Sequence, residues 1–332
     1  MSDNPFIHTP VLLQESIELL NVKPDGIYID CTLGGGGHTE AILKGLGTGG
    51  LVLGLDADKE AIEAAQKKLS QHKNITYIND NFADLKKYIT EPVDGFLFDL
   101  GVSSHQIDTA SRGFSIREDG PLDMRLGQEQ KLSAKDIVNN FSQEALTEIF
   151  FQFGEERFSR RVAKKIIIER ESTEIATTQK LKEIIEQAIP TWKKRESVTR
   201  IFQALRIAVN NELTSLKTAL LDAIELLKPG GRIVVISYHS LEDRIIKHTF
   251  RQANLNILTK KPITASEPET ALNPRSESAK LRAAEKLSWQ RHTNIIFAEL
   301  SWSCSSFLAW LAPTFLSAPL TLPLNISWPN KS

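Results

Sequence analysis

Residues Ile27–His38 run a short apolar stretch into an acid, Asp30, and then into Gly34, Gly35, Gly36 and Gly37, and a helical pattern over Thr39–Leu43 follows at once. That order reads as a buried strand turning tightly into a helix N-terminus. Glycines admit close backbone approach and left-handed φ, and the first helical turn offers unpaired N–H groups. The result is a cradle for a nucleotide-like ligand, although glycines alone would equally suit a flexible loop.

The dinucleotide fingerprint G-x-G-x-x-G fails here, because counting from Gly34 puts Thr39 where the third glycine belongs. What remains is an acid four residues before the first glycine. A carboxylate at that strand end suits a ligand carrying a cationic amino group and would repel a phosphate. S-adenosylmethionine is a ligand of that kind.

Further along, Leu51–Leu55 reads as a second strand ending at Asp56, about 20 residues past the first glycine, where a ribose-binding carboxylate sits in such a unit. Asp58 is expected to start the helix from Lys59 to Leu69. Ile75–Ile78 is a third strand, followed by Phe82, which either lies against an adenine face or fills the core under the loop. Phe96–Gly101 is a fourth strand, again with an acid, Asp99, at its carboxyl end. Strands alternating with helices, with acids gathered at one edge, predict a doubly wound α/β sheet with the ligand crevice outside the carboxyl ends.

Strand signals then vanish between about Arg112 and Asn211. Ser133–Asn140, Ser142–Phe153, Arg157–Arg170 and Thr178–Ile189 read as helices, several opened by a Ser or Thr cap. Arg160-Arg161, Lys164-Lys165 and Lys193-Lys194-Arg195 are basic runs, either solvated faces or phosphate contacts. Ser197–Leu227 reads as one long helix, stopped by Lys228-Pro229-Gly230-Gly231 before a strand over Arg232–Ser237. His239, Ser240, Asp243 and Arg244 follow that strand, with an internal pair of Asp243 or Glu242 with Arg244 as the plain alternative to a binding role. Ser266–Arg275 reads as a polar loop.

Lys and Arg total 40 against 41 Asp and Glu, so any nucleic-acid contact must come from local clusters rather than a global basic field. Cys31 and Cys304 are too few and too distant for a disulfide framework or a thiolate metal site, and no metal is expected. No signal peptide is visible at Met1–Pro5, and His8 is expected at the surface or in packing. From Ser301 to Trp328 there is no charged residue, but Pro313, Pro319 and Pro323 interrupt the stretch. A tail of low structural order is expected there rather than a membrane anchor.

Three longer runs carry a resemblance: Asp99–Asp108, Arg112–Ser115 and Asp119–Arg125. They resemble the signature of the bacterial 16S ribosomal RNA cytosine-N4 methyltransferases, the MraW or RsmH family. Gly154–Phe158, Thr199–Ile207 and Ile236–Arg244 extend the resemblance, which covers roughly residues 6–287. It implies a class I methyltransferase sheet of Rossmann-like type, over 1–111 and 212–287, with an inserted all-α domain over 112–211 and an atypical tail over 288–332. It implies methyl transfer from S-adenosylmethionine to the exocyclic N4 of a cytidine in the decoding region of 16S rRNA, within the small ribosomal subunit in the cytoplasm. A homodimer stays open.

Residue by residue, the resemblance implies cofactor contacts at Gly36, Gly37, His38, Asp56, Phe82, Asp99 and Gln106. Asp99 is also the candidate acceptor for the N4 amine, hence the catalytic candidate. Arg200, Arg206, His239, Ser240, Asp243 and Arg244 are substrate-binding candidates. The chain departs from the family at Glu196-Ser197-Val198, where His-Pro usually precedes Ala-Thr-Arg, and at Glu277, where a second arginine is common. Both changes remove RNA-facing chemistry. A non-catalytic RNA-binding or assembly factor, and an NAD-dependent oxidoreductase, are the competing classes; Thr39 and Asp30 speak against the latter.

Overall fold

The computed structural model describes residues 10–127 and 130–287. His8 and the apolar tail therefore lie outside the described residues. In chain order the first half contains α1 (Leu13–Leu20), β1 (Ile27–Asp30), α2 (Gly37–Gly45), β2 (Leu51–Asp56), α3 (Lys59–Lys68), β3 (Ile75–Asn79), β4 (Val93–Asp99) and α4 (Ser104–Asp108). The helical stretch follows with α5 (Ala134–Asn140), α6 (Gln143–Gln152), α7 (Ser159–Ser172), α8 (Thr178–Ala188), α9 (Lys194–Asn210) and α10 (Glu212–Leu226). The chain closes with β5 (Leu227–Ser237), α11 (Ser240–Gln252), β6 (Asn256–Ile257), α12 (Glu267–Leu272) and β7 (Lys280–Glu285).

The strands form one sheet in the order β3-β2-β1-β4-β5-β7-β6. β1 pairs in parallel with β2 on one side, Ile29 beside Leu53, and with β4 on the other, Ile29 beside Phe96. β7 runs antiparallel to β5 and β6. The chain therefore winds outward to β3, returns, and winds the other way from β4, leaving a topological switch point between β1 and β4. Parallel pairing also forces Asp30, Asp56 and Asp99 to the same edge, since each ends its strand.

Both sheet faces are covered, which explains why its central strands are apolar runs rather than alternating ones. Ile29, Phe96, Phe98 and Val235 pack on one face against Leu216, Leu220 and Ala223 of α10. Tyr28, Val52, Leu97 and Val234 pack on the other with Leu20 and Ile42. Helices α5–α9 close around a separate cluster that includes Ile137, Phe150, Ile166, Ile185, Ile201 and Leu205. The described residues nonetheless fall in one compact unit.

The caps explain where several helices begin. Ser133, Ser142 and Thr177 each accept a backbone N–H three residues on, which satisfies a donor the helix cannot satisfy itself. α7 starts after Phe158 with no side-chain cap. Two expectations are corrected. The long helix over Ser197–Leu227 is instead α9 and α10, broken at Asn211, which adopts φ 50°. Asn210 secures the break, its side chain accepting from Leu126 N and donating to Met124 O. The polar stretch Ser266–Arg275 contains α12, capped by Ser266, and Glu269 of that helix accepts from Leu12 N at 2.8 Å.

Candidate active site

The switch point opens into a cavity of about 120 Å3 lined from nearly every carboxyl end of the sheet. The loop after β1 contributes Thr32, Gly34, Gly37 and His38, and β2 contributes Asp56. Asn81 and Phe82 come from the turn after β3, and Asp99 with Gly101 and Ser103 from β4 and its loop. Gln106, Glu212, Tyr238 and Glu242 complete the wall.

Gly34 adopts φ +49°, and a Cβ there would project into open space, its nearest neighbour being Thr32 O at 3.9 Å. The backbone is thus bare where a ligand can approach. Gly34 N donates to Asp56 Oδ2 at 2.8 Å, and Asp58 N donates to Oδ1 at 2.9 Å. Each oxygen keeps a lone pair for a ligand diol. Burial pushes the Asp56 carboxyl up to about 6, against the pull of those two N–H groups. Phe82 does two jobs, lining the cavity while meeting Phe98 edge-on with ring centres 5.9 Å apart.

The polar end is built on Asp99. Tyr238 donates to its Oδ1 at 2.7 Å, and its backbone N–H donates to Thr32 Oγ1 at 2.6 Å. Burial, then the adjacent Asp99 charge, push the Tyr238 phenol well up, so it remains a donor. His38 Nδ1 lies 3.7 Å from Asp99 Oδ2, and its Nε2 lies 3.0 Å from Val11 O. A carbonyl can only accept, so Nε2 carries the hydrogen and Nδ1 presents a lone pair. Burial also pushes the imidazole below its ordinary value, which keeps it neutral. Two acceptors thus face the same space and fit an N–H donor between them.

Not every expected residue reaches the cavity. Asp30 does not: it is fully buried, accepting from Thr39 Oγ1 at 2.6 Å and Thr32 N at 3.2 Å. The threonine that breaks the dinucleotide pattern is the partner that turns this carboxylate inward, so Asp30 is a loop anchor, not the acid for a cationic amino group. Gly36 lies behind the loop, where a Cβ would sit 2.9 Å from Leu69 Cδ1. Gln106 lines the cavity with its amide already engaged, accepting from Ser103 N and donating to Asp58.

The substrate candidates are largely held by one another's neighbours. Arg206 forks onto Glu212 with two 2.8 Å bonds and faces a second cavity, of about 440 Å3, that shares Val102 with the first. Arg200 pairs with Glu196. Asp243 pairs with Arg282, while Arg244 and Ser240 both reach Glu155. The internal Asp243–Arg244 or Glu242–Arg244 pair expected as the plain alternative is therefore replaced by longer-range partners. His239 caps α11, accepting from Glu242 N, while Glu242 accepts from Tyr238 N.

Glu212, His239 and Glu242 bring their ligand-type atoms within 4.8 Å of one another. Because His239 Nδ1 accepts from a backbone N–H, its Nε2 bears the hydrogen; it lies 3.1 Å from Glu242 Oε1 without hydrogen-bond alignment. With Arg206 already on Glu212, this donor set is a hydrogen-bonding and ion-pair network and suits a cation poorly. Burial raises Glu242, but His239 and then Arg206 outweigh it and hold the carboxyl below its usual value.

Tyr238, Glu212 and Arg112 carry no assigned role in the sequence, and Glu242 figures there only as a possible partner of Arg244. Tyr238 stands next to the singled-out His239, and a tyrosine just past a strand end opposite an acid was the available signal. Glu212 had none, since its position depends on the break at Asn211. Arg112 is buried on Asp58 at 2.9 Å and also bonds Leu126 O at 2.9 Å, clamping the loop after α4 onto the start of α3.

The family model described as the MraW methylase family matches residues 5–287. Ribosomal RNA small subunit methyltransferase H of Halothermothrix orenii is 48% identical over 306 residues, 84% of this chain and 98% of that protein. The protein of the same name from Clostridium botulinum is 44% identical over 307 residues, 85% of this chain and 99% of that one. A solved rRNA methylase from Streptococcus thermophilus aligns over 83% of this chain and 94% of its own, with a TM-score of 0.41 and 14% identity, too loose a likeness to bear on function.

Proposed function

The chain belongs to the MraW methylase family, and from that membership together with the cleft we propose an S-adenosylmethionine-dependent methyltransferase of small-subunit ribosomal RNA. The acceptor is the exocyclic N4 of a cytidine in 16S rRNA, presented within the small ribosomal subunit in the cytoplasm. Helices over 112–211 act as an inserted, substrate-handling domain. Among the described residues no helix is long and apolar enough to cross a membrane.

The residues present fit the cofactor. Asp56 would offer acceptors for both ribose hydroxyls, Phe82 and Asn81 line the part of the cavity that would take the adenine, and the bare backbone at Gly34 would admit the methionine portion. When bound, the cofactor supplies an electrophilic sulfonium methyl. The chain's own task is positioning, because an amine lone pair in line with that methyl needs little covalent help.

We assign to Asp99 the task of orienting the N4 amine and accepting the proton that the amine sheds when the methyl leaves sulfur for nitrogen. Tyr238 donates to one of its oxygens and thereby fixes the carboxylate's rotation. A paired base cannot enter so enclosed an edge, so the cytidine arrives unpaired or flipped. The single observation that carries the reading is the Tyr238–Asp99–His38 cluster at the switch point, in a chain of this family. Transfer of tritiated methyl into small subunits lacking the modification tests it. No incorporation at saturating cofactor would overturn it.

A further inference from the structure

Trp192 is 76% exposed, although it sits in an ordered 3-10 turn, Thr191–Lys193, that leads directly into α9. Lys193 Nζ stands 5.2 Å from the ring centre, leaving much of the indole open to solvent. Holding a large apolar side chain in water forgoes the burial that would stabilise the fold. The surroundings are basic. Lys193 and Arg200 both pair with Glu196, each at 2.6 Å, and Arg157 lies close enough to act on the same carboxylate. Arg200 also acts on Glu155, which Arg244 and Ser240 bond, so the stripe runs from Trp192 toward the carboxyl end of β5. Among the described residues no carboxylate pairs with Lys194, Arg195 or Arg157. The cations tied to Glu155 and Glu196 are thus Arg157, Lys193, Arg200 and Arg244, with Lys194 and Arg195 following Lys193 in the chain.

We infer that Trp192 is a stacking platform for an unpaired base of the RNA, outside the catalytic cleft, with the adjoining cations following the phosphate backbone on either side. Aromatic rings interleaved with cations are the arrangement that holds single-stranded nucleic acid, stacking being tolerant of base identity and the cations supplying salt-dependent affinity. The site rests on the reading of an RNA substrate given above. It adds an anchor that the cofactor cleft does not contain.

The test compares wild type with Trp192→Ala and Trp192→Phe in filter binding to small ribosomal subunits lacking the modification and to a short single-stranded RNA. Cofactor affinity and Tm are measured in parallel. Trp192→Ala should weaken RNA binding by about tenfold, with Trp192→Phe retaining most of it. Cofactor affinity and Tm should not move, because truncating so exposed a side chain leaves no cavity. Equal RNA affinity for wild type and Trp192→Ala overturns the platform, as does an equal loss in both variants or a change confined to self-association. Methyl transfer is scored separately. Trp192-dependent RNA binding without methyl transfer would sink the enzymatic reading alone; methyl transfer with unchanged RNA affinity in Trp192→Ala would sink the platform alone.

Discussion

Tyr238 reaches from the loop after β5 to Asp99 at the end of β4, donating to Oδ1 at 2.7 Å across the mouth of the cleft. The two strands are direct neighbours, Asp99 standing beside Ile236, so the bond is short-range in space although the residues are far apart in the chain. Removing the hydroxyl leaves the ring, and hence the packing, in place. Tyr238→Phe should therefore lower kcat by about tenfold, the scale of one positioned hydrogen bond, with little change in KM for the cofactor. Steady-state kinetics with both substrates varied checks this, and an unchanged kcat would remove Tyr238 from the chemistry.

Asp99→Asn preserves size but removes the acceptor on the oxygen side that becomes an amide nitrogen. Turnover should fall by about 100-fold or more even with cofactor saturating, the scale of a general base. Calorimetric cofactor affinity measured alongside separates the roles. A loss confined to cofactor affinity would mean that Asp99 holds the cofactor and takes no proton.

The pH response of Asp56 has a definite sign. Burial raises its folded pKa to about 6, above the unfolded value. The folded state then binds the proton more tightly, so this group's contribution to stability is complete below about pH 4 and is lost as pH rises through about 6. The stability of wild type relative to Asp56→Asn should accordingly fall as the pH rises from about 4 through 6 in urea titrations, on top of a constant offset because asparagine keeps only one of the two N–H contacts. Cofactor affinity should respond oppositely in wild type, falling as the pH drops below about 6, because a protonated carboxyl accepts less well from a diol.

At Gly36 the backbone is left-handed, φ +74°, and a Cβ would press on Leu69 at 2.9 Å. Gly36→Val combines left-handed strain with overpacking against the end of α3, and should cost about 2 kcal/mol or more. Cofactor binding should be lost while the helices of residues 134–210 stay folded, read by calorimetry together with hydrogen exchange. Retained binding would mean that the loop tolerates displacement and does not shape the cleft.

The Arg206–Glu212 fork spans the α9–α10 break with both side chains mostly buried, 15% and 13% exposed. Arg206→Ala strands a buried carboxylate and should cost about 3 kcal/mol, whereas the double change Arg206→Met with Glu212→Leu should recover much of it. Urea unfolding of Arg206→Ala, Arg206→Met, Glu212→Leu and the double variant measures this, the last three closing a cycle with wild type. A negligible cost for Arg206→Ala would show the arginine to be free for other partners.

The strand-turn-helix at residues 27–45, the acids at three strand ends and the Ser and Thr caps of α5, α6 and α8 follow from local rules, and each stands where those rules predict. Asp30 and Gly36 show the limit. Their positions were legible, but which way a side chain turns depends on a partner elsewhere: Thr39 draws Asp30 inward, and Leu69 occupies the space beside Gly36.

The sequence by itself determined the alternation of strands and helices, because hydrophobic periodicity and capping act over a few residues. It also determined the family, because the long motifs around Asp99, Arg112 and Asp123 stand in the chain as they are read. Only the tertiary structure decided that Tyr238 meets Asp99, that Glu212 enters the cleft after a one-residue break at Asn211, and that Arg112 locks the loop after α4 to Asp58. Each of those contacts joins segments distant in the chain. They form because strand pairing and helix packing bring the segments together, and no local pattern encodes that meeting.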